Sequence, residues 1–543
     1  MEYKMDNLTV KRLDHLGIVS GLIRELKIIE QIDERIEPDP KETITTGEAI
    51  AAMIMNGLGF SDRPLYLTPQ FFEEKPLEHL FRPGLKSEHF NRFKLGRSLD
   101  DVFEYGCDLL FSEIAKNVCK QEGVNMRNKC IDTTSFSLTG QYDKDSDTEE
   151  ITITHGYSKD HRNDLKQAIL ELVVCKDAGI PIVCKSFSGN DSDNTIFKER
   201  CKELVEQLSP EDTTDYIIAD SKLYCEKNAE NLKNIGFVTR VPANIKKVSQ
   251  SIENALNSND WEQLDDTYKY QKMEVEHYSI AQRWIIVFSN EAFKQTEHTL
   301  DKAKQREHKK FSSAMYHLKA KRFDSQKKAV KALEKITDKL RYHVLETHDL
   351  HEHSKYLVKG RPKADSPKQT LWQITASIQE DPDKIQWQRN IKSCYVLATN
   401  VSENDLPDGQ VLYEYKDQSH VERGFRFLKS PVFFTSSLFL KKPARIQGLL
   451  MVMTFALLIY SIAERRIRSV LKESNGTLPD QIGQPTKTPT LRWCFQMLEG
   501  INVVSFEYQG KMQILVQGIT DLRKKILSLF GDFVRRFYEI PIS

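Results

Sequence analysis

The sequence predicts an α/β protein whose core is a mixed β-sheet with helices packed on its faces. The chain has 543 residues, which is too long for one hydrophobic core and indicates two to four domains. Its composition, 39% hydrophobic and 29% charged, is typical of globular proteins and excludes collagen-like and fully disordered classes. Residues 129–241 read as three consecutive strands followed by strands that alternate with helices. Because hairpins pair antiparallel strands and helical crossovers pair parallel ones, we expect both kinds of pairing in one sheet.

The first 120 residues are predicted to form a helical domain. The spacing of Ile50, Met53, Ile54 and Leu58 places these side chains on one helix face. Prolines at positions 38, 40, 64 and 83 divide the stretch into several helices, because a proline rarely continues a helix.

The first part of the sheet is predicted within residues 121–244. The predicted strands are residues 130–138, 168–175, 180–187, 216–219 and 236–241, with a helix at 196–208 between the third and fourth. Residues 176–179 have turn composition, so the second and third strands should form a hairpin.

An inserted β-rich domain is predicted for residues 245–410. Paired core strands are expected at residues 283–288 and 393–398, and a further strand at 372–378. The Lys-rich segment 291–343 is predicted to be a long helical arm, and residues 359–363 an exposed basic turn.

Residues 411–470 are predicted to complete the core, and residues 471–543 to form a helical and mixed C-terminal region. Within the first of these, residues 446–463 carry no charge and approach the length of a membrane-spanning helix. Polar residues at both ends of the run favour a helix buried in the protein core instead. We therefore expect no membrane association.

Charge is unevenly distributed along the chain. The formal total is zero, but residues 1–120 carry a net charge of −5, residues 291–343 of +8 and residues 423–543 of +10. Such basic segments are typical of proteins that bind nucleic acid. For residues 291–343 a simply solvated Lys-rich helix explains the charge equally well.

The nine cysteines are scattered and form no C-x-x-C pair, which favours free thiols in a reducing compartment. The N-terminus has no apolar signal-peptide core. These two features predict a cytoplasmic protein.

Three carboxylates occupy positions suited to chemistry. Asp132 lies in the first predicted strand, and Asp220 follows an apolar strand directly. Ligands gather beyond the carboxyl ends of parallel strands, although a single Asp there is more often a turn former or a helix cap. Glu422 lies on a predicted helix on which Tyr415, Glu422 and Lys429 recur every seven residues and so lie nearly in line. An amphipathic helix with solvated charge pairs explains this spacing equally well.

The helix resembles the Y-x(2)-R-x(3)-E-x(6)-K signature of DDE transposases of the insertion-sequence-4 group. Gln418 stands where that signature has Arg, which resembles the insertion-sequence-1634 subgroup. The resemblance extends to the segments around both aspartates and to the helical N-terminal domain, and spans roughly residues 8–430. The further matching segments are 131–134, 156–162, 188–193 and 218–220.

The resemblance implies an RNase H-like catalytic core interrupted by a β-rich insertion. It also implies an enzyme that cuts DNA strands at transposon ends with water and joins the freed 3′-hydroxyl to target DNA. Two Mg²⁺ ions, for which Mn²⁺ can substitute, would be held by Asp132, Asp220 and Glu422. The implied partner is double-stranded DNA, bound by a homodimer.

The resemblance also implies DNA contacts by the helix. Lys429 would contact a phosphate and Tyr415 a displaced base, while Gln418 would face the DNA end unless it packs beneath the helix. Geometry adds Arg426, which lies on the same predicted face. Lys159 and Arg162 are further candidate DNA contacts.

Three alternatives remain open at this stage. The first is a metal-dependent nuclease with the same fold that cuts without joining. The second is a non-catalytic DNA-binding descendant of a transposase, although the retention of all three carboxylates disfavours it. The third is a helical scaffold whose motif matches are accidental.

Overall fold

The computed structural model describes residues 6–60, 64–140, 142, 150–160, 162–191, 216–233, 235–358, 361–430, 440–508 and 511–539. The chain divides into two units. The first unit combines Met1–Thr239 with Glu414–Ser543, and the second is Arg240–Tyr413. The second unit nearly coincides with residues 245–410, the predicted insertion. The predicted helix 196–208 lies outside the described residues.

The N-terminal region is helical, as predicted. Its helices are α1 (Leu16–Glu25), α2 (Ile28–Asp33), α3 (Thr46–Leu58), α4 (Thr68–Glu73), α5 (Leu77–Leu80), α6 (Arg92–Tyr105) and α7 (Cys107–Gln121), with 3₁₀ turns at Leu65–Leu67 and Ser87–Phe90. Helix α3 is buried along its whole length. Thr45 and Glu48 form a capping box that satisfies the free backbone N–H groups at its start.

A small three-stranded sheet joins the two ends of the chain, which the sequence did not predict. Strand β1 (Asp6–Arg12) pairs antiparallel with β15 (Asn502–Tyr508), which pairs with β16 (Lys511–Gln517). No local pattern indicates this pairing, because its partners are about 490 residues apart. Regions 1–120 and 471–543, predicted as separate domains, therefore share a sheet.

The core of the first unit is a five-stranded mixed sheet in the order β4-β3-β2-β5-β6. Its strands are β2 (Lys129–Leu138), β3 (Lys166–Cys175), β4 (Pro181–Ser188), β5 (Ile217–Ala219) and β6 (Phe237–Arg240), each within two residues of its predicted bounds. The first three form an antiparallel meander, and β5 runs parallel to both β2 and β6. This order and direction make the core RNase H-like. The short helix α8 (Glu226–Leu232) connects β5 to β6.

The long apolar helix lies inside the first unit, as predicted. Helix α13 (Asp408–Lys416) begins in the second unit and ends in the first. The remaining elements here are α14 (Ser419–Leu428), α15 (Pro443–Glu473), α16 (Leu491–Met497), α17 (Asp521–Ser528), α18 (Asp532–Phe537), β13 (Leu478–Pro479) and β14 (Pro485–Thr486). Helix α15 packs against α3, α6, α7 and β4. It is long and apolar enough to cross a membrane, but 89% of its apolar window is buried within the protein. Its apolar surface is thus satisfied by core packing.

The second unit contains an antiparallel sheet of β7 (Glu262–Gln263), β8 (Tyr268–His277), β9 (Ile280–Ser289) and β12 (Cys394–Thr399), with helices α9 (Lys246–Ser258) and α12 (Pro382–Lys392). The predicted pairing of the β9 and β12 segments is confirmed, since Cys394 pairs with Phe288 and Thr399 with Arg283.

The Lys-rich segment forms two helices, α10 (Asn290–Lys319) and α11 (Gln326–Thr337), rather than one long arm. They pack on a hairpin of β10 (His343–Tyr356) and β11 (Lys368–Glu380) through a core that includes Phe311, Leu333 and Ile374. The apolar stripe of the segment thus faces this core. The predicted basic turn at 359–363 lies partly outside the described residues.

The eight described cysteines are free thiols, as predicted from their spacing. Cys201 lies outside the described residues.

Candidate active site

Asp132 and Asp220 are brought together by the parallel pairing of β2 and β5. Ile131 pairs with Ala219, so Asp132 is the next residue of β2 and Asp220 is the first residue after β5. Because side chains alternate along strands, the two carboxylates project from the same face of the sheet. Both aspartates come from the strand segments predicted to carry them.

The surroundings of Asp220 show that the two carboxylates interact. Burial raises the pKa of the Asp220 carboxyl above its ordinary value, and the negative charge of Asp132 raises this pKa further. The backbone N–H of Lys222, which donates to Asp220 Oδ1 at 2.9 Å, opposes the rise. Thr239 Oγ1 donates to the Asp220 carbonyl at 2.8 Å and ties the end of β5 to β6.

Lys159 contacts the catalytic candidate Asp132. Its Nζ lies 3.3 Å from Asp132 Oδ1, donates to Thr133 Oγ1 at 2.9 Å and also donates to the Thr133 carbonyl. The Thr133 N–H donates to the same Asp132 oxygen at 2.7 Å. Sequence analysis predicted Lys159 as a DNA contact, whereas here its ammonium group balances the charge of Asp132.

The loop that carries Lys159 is held by buried hydrogen bonds. Ser158 Oγ accepts from the N–H groups of Asp160 and Arg162, at 3.3 and 3.2 Å, and its side chain is buried. The Lys159 N–H donates to Ser135 Oγ, three residues after Asp132 on β2. The position of Lys159 is therefore fixed by the strand that carries the aspartate.

Gly156 and Gly189 allow two of the segments that match the transposase family to approach each other closely along the backbone. A Cβ on Gly156 would lie 1.9 Å from the carbonyl oxygen of Gly189, so only glycine fits. Gln167 Nε2 donates to that same carbonyl at 2.7 Å and to the Tyr157 carbonyl at 3.2 Å. Segment 156–162 and the described part of segment 188–193 thus form one scaffold beside β2.

The helix expected to carry the whole signature is broken, which corrects the prediction of one continuous face. Tyr415 lies on α13, whereas Glu422 lies on α14, and residues 417–418 form a turn between them. Hydrogen bonds of the i to i−3 type run through this turn, as from the Gln418 N–H to the Tyr415 carbonyl. This tighter winding rotates Tyr415 out of line with Glu422.

At the break between α13 and α14, the chain is held by a lysine from the turn between β3 and β4. Lys176 Nζ lies 2.5 Å from Glu414 Oε1 and 3.1 Å from Asp417 Oδ2. Gln418 is buried at the start of α14, which agrees with the arrangement in which it packs beneath the helix and does not face the DNA end. A DNA contact by Gln418 remains a prediction, and its burial requires α14 to shift before the amide meets a phosphate.

Helix α14 covers the sheet face from which Asp132 projects. Val421, Phe425 and Leu428 are buried, as predicted for the side that anchors the helix. A Cβ on Gly424 would contact Leu172, which is the β3 register partner of Asp132. Glu422 and Arg426 are exposed on the outer side of the helix.

Lys429, at the C-terminal end of α14, is paired with a carboxylate of the Lys159 loop. Its Nζ lies 2.8 Å from both carboxylate oxygens of Asp160, and 5.9 Å from the centre of the Phe136 ring. Arg162, also predicted to contact DNA, forms an exposed two-pronged pair with Asp164, with both N–O distances 2.8 Å. Asp160 was missed because its partner is 269 residues away.

The donor set fits a divalent cation in part. Asp132 and Asp220 supply adjacent oxygen ligands of the kind that Mg²⁺ prefers, and a cation would relieve their mutual repulsion. Within the described ranges, no three His, Cys, Asp or Glu side chains are gathered as a metal site. Glu422 as the third ligand therefore stays a prediction.

Comparison with known proteins identifies the family. The family model described as "Transposase DDE domain" matches residues 126–459, and a "Domain of unknown function (DUF4277)" matches residues 8–116. No curated protein matches the chain. Among solved structures, the cryo-EM structure of the piggyBac transposase synaptic complex with hairpin DNA matches with a TM-score of 0.37 and 10% identity, over 90% of this chain and 82% of that one. That likeness is too low to carry an argument about the site. The DDE family model, however, covers well over half of the chain, which therefore belongs to the transposases with a DDE domain.

Proposed function

We propose that this transposase cuts DNA at transposon ends with water and joins the freed 3′-hydroxyl to target DNA. The observation that carries the proposal is the pair of carboxylates, Asp132 and Asp220, on the face covered by the helix of Glu422. Both steps are phosphoryl transfers and need no protein nucleophile, so the chain's task is to position DNA and balance charge.

Asp132, Asp220 and Glu422 would hold two Mg²⁺ ions, with Mn²⁺ as a substitute. When bound, these ions supply activation of the attacking oxygen and stabilisation of the leaving oxygen. Asp132 and Asp220 are pre-positioned by strand register, whereas Glu422 depends on the position of α14. Because Glu422 lies on the outer side of α14, a rotation of this helix would be needed to bring its carboxylate to the two aspartates.

DNA would approach the end of α14. Lys429 and Arg426 present cations there, and Tyr415 and Gln418 lie across the turn that precedes this helix. Lys159 and Arg162 would reach phosphates only after leaving Asp132 and Asp164. Because two transposon ends must be cut and joined together, we propose a homodimer on double-stranded DNA, acting in the bacterial cytoplasm.

The test uses the full-length chain and labelled DNA from the flanks of its gene. With Mg²⁺, the protein should nick these ends and transfer pre-cut 3′-hydroxyl ends to a plasmid. Asp132→Asn and Asp220→Asn should each reduce cleavage by at least about a thousandfold, while DNA binding in EDTA changes less than about threefold. Asp164→Asn, which removes an exposed carboxylate nearby, is the matched control and should keep cleavage.

Two outcomes would overturn parts of the proposal. Equal loss of binding and cleavage in Asp132→Asn would mean that this aspartate is structural. Cleavage without transfer of pre-cut ends would identify a nuclease that does not join.

A further inference from the structure

The loop of residues 156–164 places opposite charges on two groups of the proposed site. Its Lys159 ammonium group contacts Asp132, a proposed metal ligand. The next residue, Asp160, contacts Lys429, the proposed phosphate contact. One short backbone segment thus presents a cation to the anionic part of the site and an anion to the cationic part.

Asp160 contacts Lys429 as a DNA phosphate would, and Lys159 contacts Asp132 and its neighbour as a metal ion would. Both Asp160 oxygens lie 2.8 Å from Lys429 Nζ, as two phosphate oxygens would. Lys159 Nζ is surrounded by oxygen atoms only, from Asp132 and from the side chain and backbone of Thr133. Oxygen donors are the ligands that a Mg²⁺ ion takes.

The loop is fixed in this position by the fold rather than by the ion pairs alone. Ser158 is buried and binds the backbone of the loop from within, and Ser135 on β2 accepts from the Lys159 N–H. Gly156 lies against the backbone of Gly189 with no room for a side chain. The charges of residues 159 and 160 are therefore delivered to defined places.

We propose that this loop imitates both ligands of the site in the free protein. Asp160 occupies the place of a DNA phosphate on Lys429, and Lys159 occupies the place of a cation at Asp132. This inference rests on the proposed function and adds a prediction of coupling. Because the two side chains are adjacent, an Asp160 carboxylate displaced from Lys429 by a phosphate can draw the Lys159 ammonium group away from Asp132, so DNA ends and divalent cations promote each other's binding.

Displacement is feasible because the contacts are partly open to solvent. The side chain of Asp160 is 43% exposed and that of Lys429 is 24% exposed. Such pairs hold weakly against a polyanion as densely charged as duplex DNA. Asp160 therefore sets a threshold for DNA at Lys429 and does not block the site permanently.

The first test measures DNA binding in EDTA by fluorescence anisotropy, with the full chain and a labelled end fragment. Asp160→Asn should tighten binding about three- to tenfold, because the phosphate no longer competes with a carboxylate. The matched control, Glu88→Gln, removes the same charge from an exposed pair with Lys86 and should change binding less than about twofold. In a Lys429→Gln background, Asp160→Asn should have no effect.

The outcomes of this test are distinct. Equal tightening by Asp160→Asn and Glu88→Gln would overturn the inference, because only general charge would be at work. If Lys429→Gln weakens binding but Asp160→Asn changes nothing, the inference fails and the proposed DNA role of Lys429 stands. If Lys429→Gln also has no effect, the proposed site itself is wrong.

The second test measures binding of Mn²⁺ alone by electron paramagnetic resonance. Lys159→Gln should tighten Mn²⁺ binding at least about threefold, since the competing cation is gone. Lys166→Gln, a lysine on β3 whose ammonium group contacts the Tyr142 carbonyl, is the control and should leave Mn²⁺ binding unchanged. Added end DNA should tighten Mn²⁺ binding in the natural protein but not in Asp160→Asn. Unchanged or weaker Mn²⁺ binding in Lys159→Gln would overturn the inference.

Discussion

The arginines of α15 and the cations of α10 and α11 have different structural surroundings. In the first unit, the arginines of α15 point into carboxylates of the acidic N-terminal half. Arg445 pairs with Asp100, Arg465 with Asp177, and Arg466 with both Glu122 and Glu25. These cations hold the first unit together, and little of their charge is left for a polyanion.

In the second unit, the cations of α10 and α11 surround a groove of about 570 Å³ whose floor includes Phe311 and Leu340. Five exposed cations line it, and their side chains have no hydrogen-bond or ion-pair partner within the described part of the chain: Arg306, Lys310, Lys335, Lys339 and Arg341. The single carboxylate of the groove, Glu307, accepts from the backbone of Arg341 and Tyr342 and binds His343.

The difference shows that the net charge of a segment does not identify a DNA-binding surface. Residues 423–543 carry the larger net charge, +10 against +8 for residues 291–343, yet Arg445, Arg465 and Arg466 within them are paired with carboxylates, whereas the five groove cations are exposed. Whether a cation is available to DNA depends on whether the fold brings an acidic residue to it. That both segments bind phosphate stays a prediction, and the paired arginines of α15 are less available for it than the groove cations.

The largest effect is expected from Arg466→Met, which tests whether the α15 cations are structural. Because Glu122 and Glu25 would lose a partly buried partner, the free energy of unfolding should fall by about 3–5 kcal/mol. DNA affinity of the folded protein should stay within about twofold. Arg468→Met, which removes an i,i+4 pair with Glu464 and a hydrogen bond to the Pro489 carbonyl, should cost about 1–2 kcal/mol. Chemical denaturation and anisotropy measure both quantities, and weaker DNA binding at unchanged stability would refute the comparison.

The second largest effect is expected from acid, which should destabilise the first unit. His15 is buried against Phe495 with its Nε2 2.8 Å from the Leu58 carbonyl, and burial lowers its pKa from 6.5 to about 4. The unfolded chain therefore binds a proton more readily, so stability present above pH 6.5 is lost as the pH falls towards 4, by up to about 3 kcal/mol. The protection factors of first-unit peptides in hydrogen exchange, which are corrected for the intrinsic pH dependence of exchange, should fall as the pH is lowered over this range. In His15→Gln this part of the pH dependence should vanish, and an unchanged profile would exclude His15 as its source.

The groove cations provide the direct test of the second unit. Replacing Lys310, Lys335 and Lys339 with Gln should weaken DNA binding about ten- to a hundredfold and reduce the salt slope by about 2–3, since each phosphate contact contributes about 0.9. Lys304→Gln with Lys328→Gln is the matched control, because both lysines are already paired with carboxylates. Equal slopes in the two sets would mean that the groove is only solvated.

The smallest effect is expected at Gln418. Because its side chain is buried at the α13–α14 turn, Gln418→Arg should lower stability by about 1 kcal/mol as the longer side chain bends towards solvent. Thermal melting beside a binding titration separates two cases. Tighter end binding without a lower melting temperature would place position 418 on the DNA surface after all.

Local patterns predicted most of the core. The strands of the sheet, the β3–β4 hairpin and the buried side of α14 all follow from residue alternation or helical spacing within a short window. The positions of Asp132 and Asp220 were predictable for the same reason, since each is defined by its own strand.

Long-range electrostatic pairing was not predictable from such windows. The break between α13 and α14 contains no proline or glycine, and its anchor, Lys176, lies more than 200 residues earlier. Likewise, nothing near Lys429 indicates Asp160, and nothing near Arg466 indicates Glu25. Pairs of this kind depend on tertiary packing, so a residue's charge alone overstated its availability to DNA.

The strand pairing that joins the chain ends has a consequence for biosynthesis. Strand β1 leaves the ribosome first, but its partner β15 follows 490 residues after Arg12, or about 25–100 s later at usual rates of synthesis. The second unit is continuous and can fold meanwhile, whereas the first unit must wait for α14, α15 and β15. A product of a prematurely stopped message would retain an open strand edge and an incomplete core. Such fragments expose their backbone to proteases, so a stopped message yields a short-lived product.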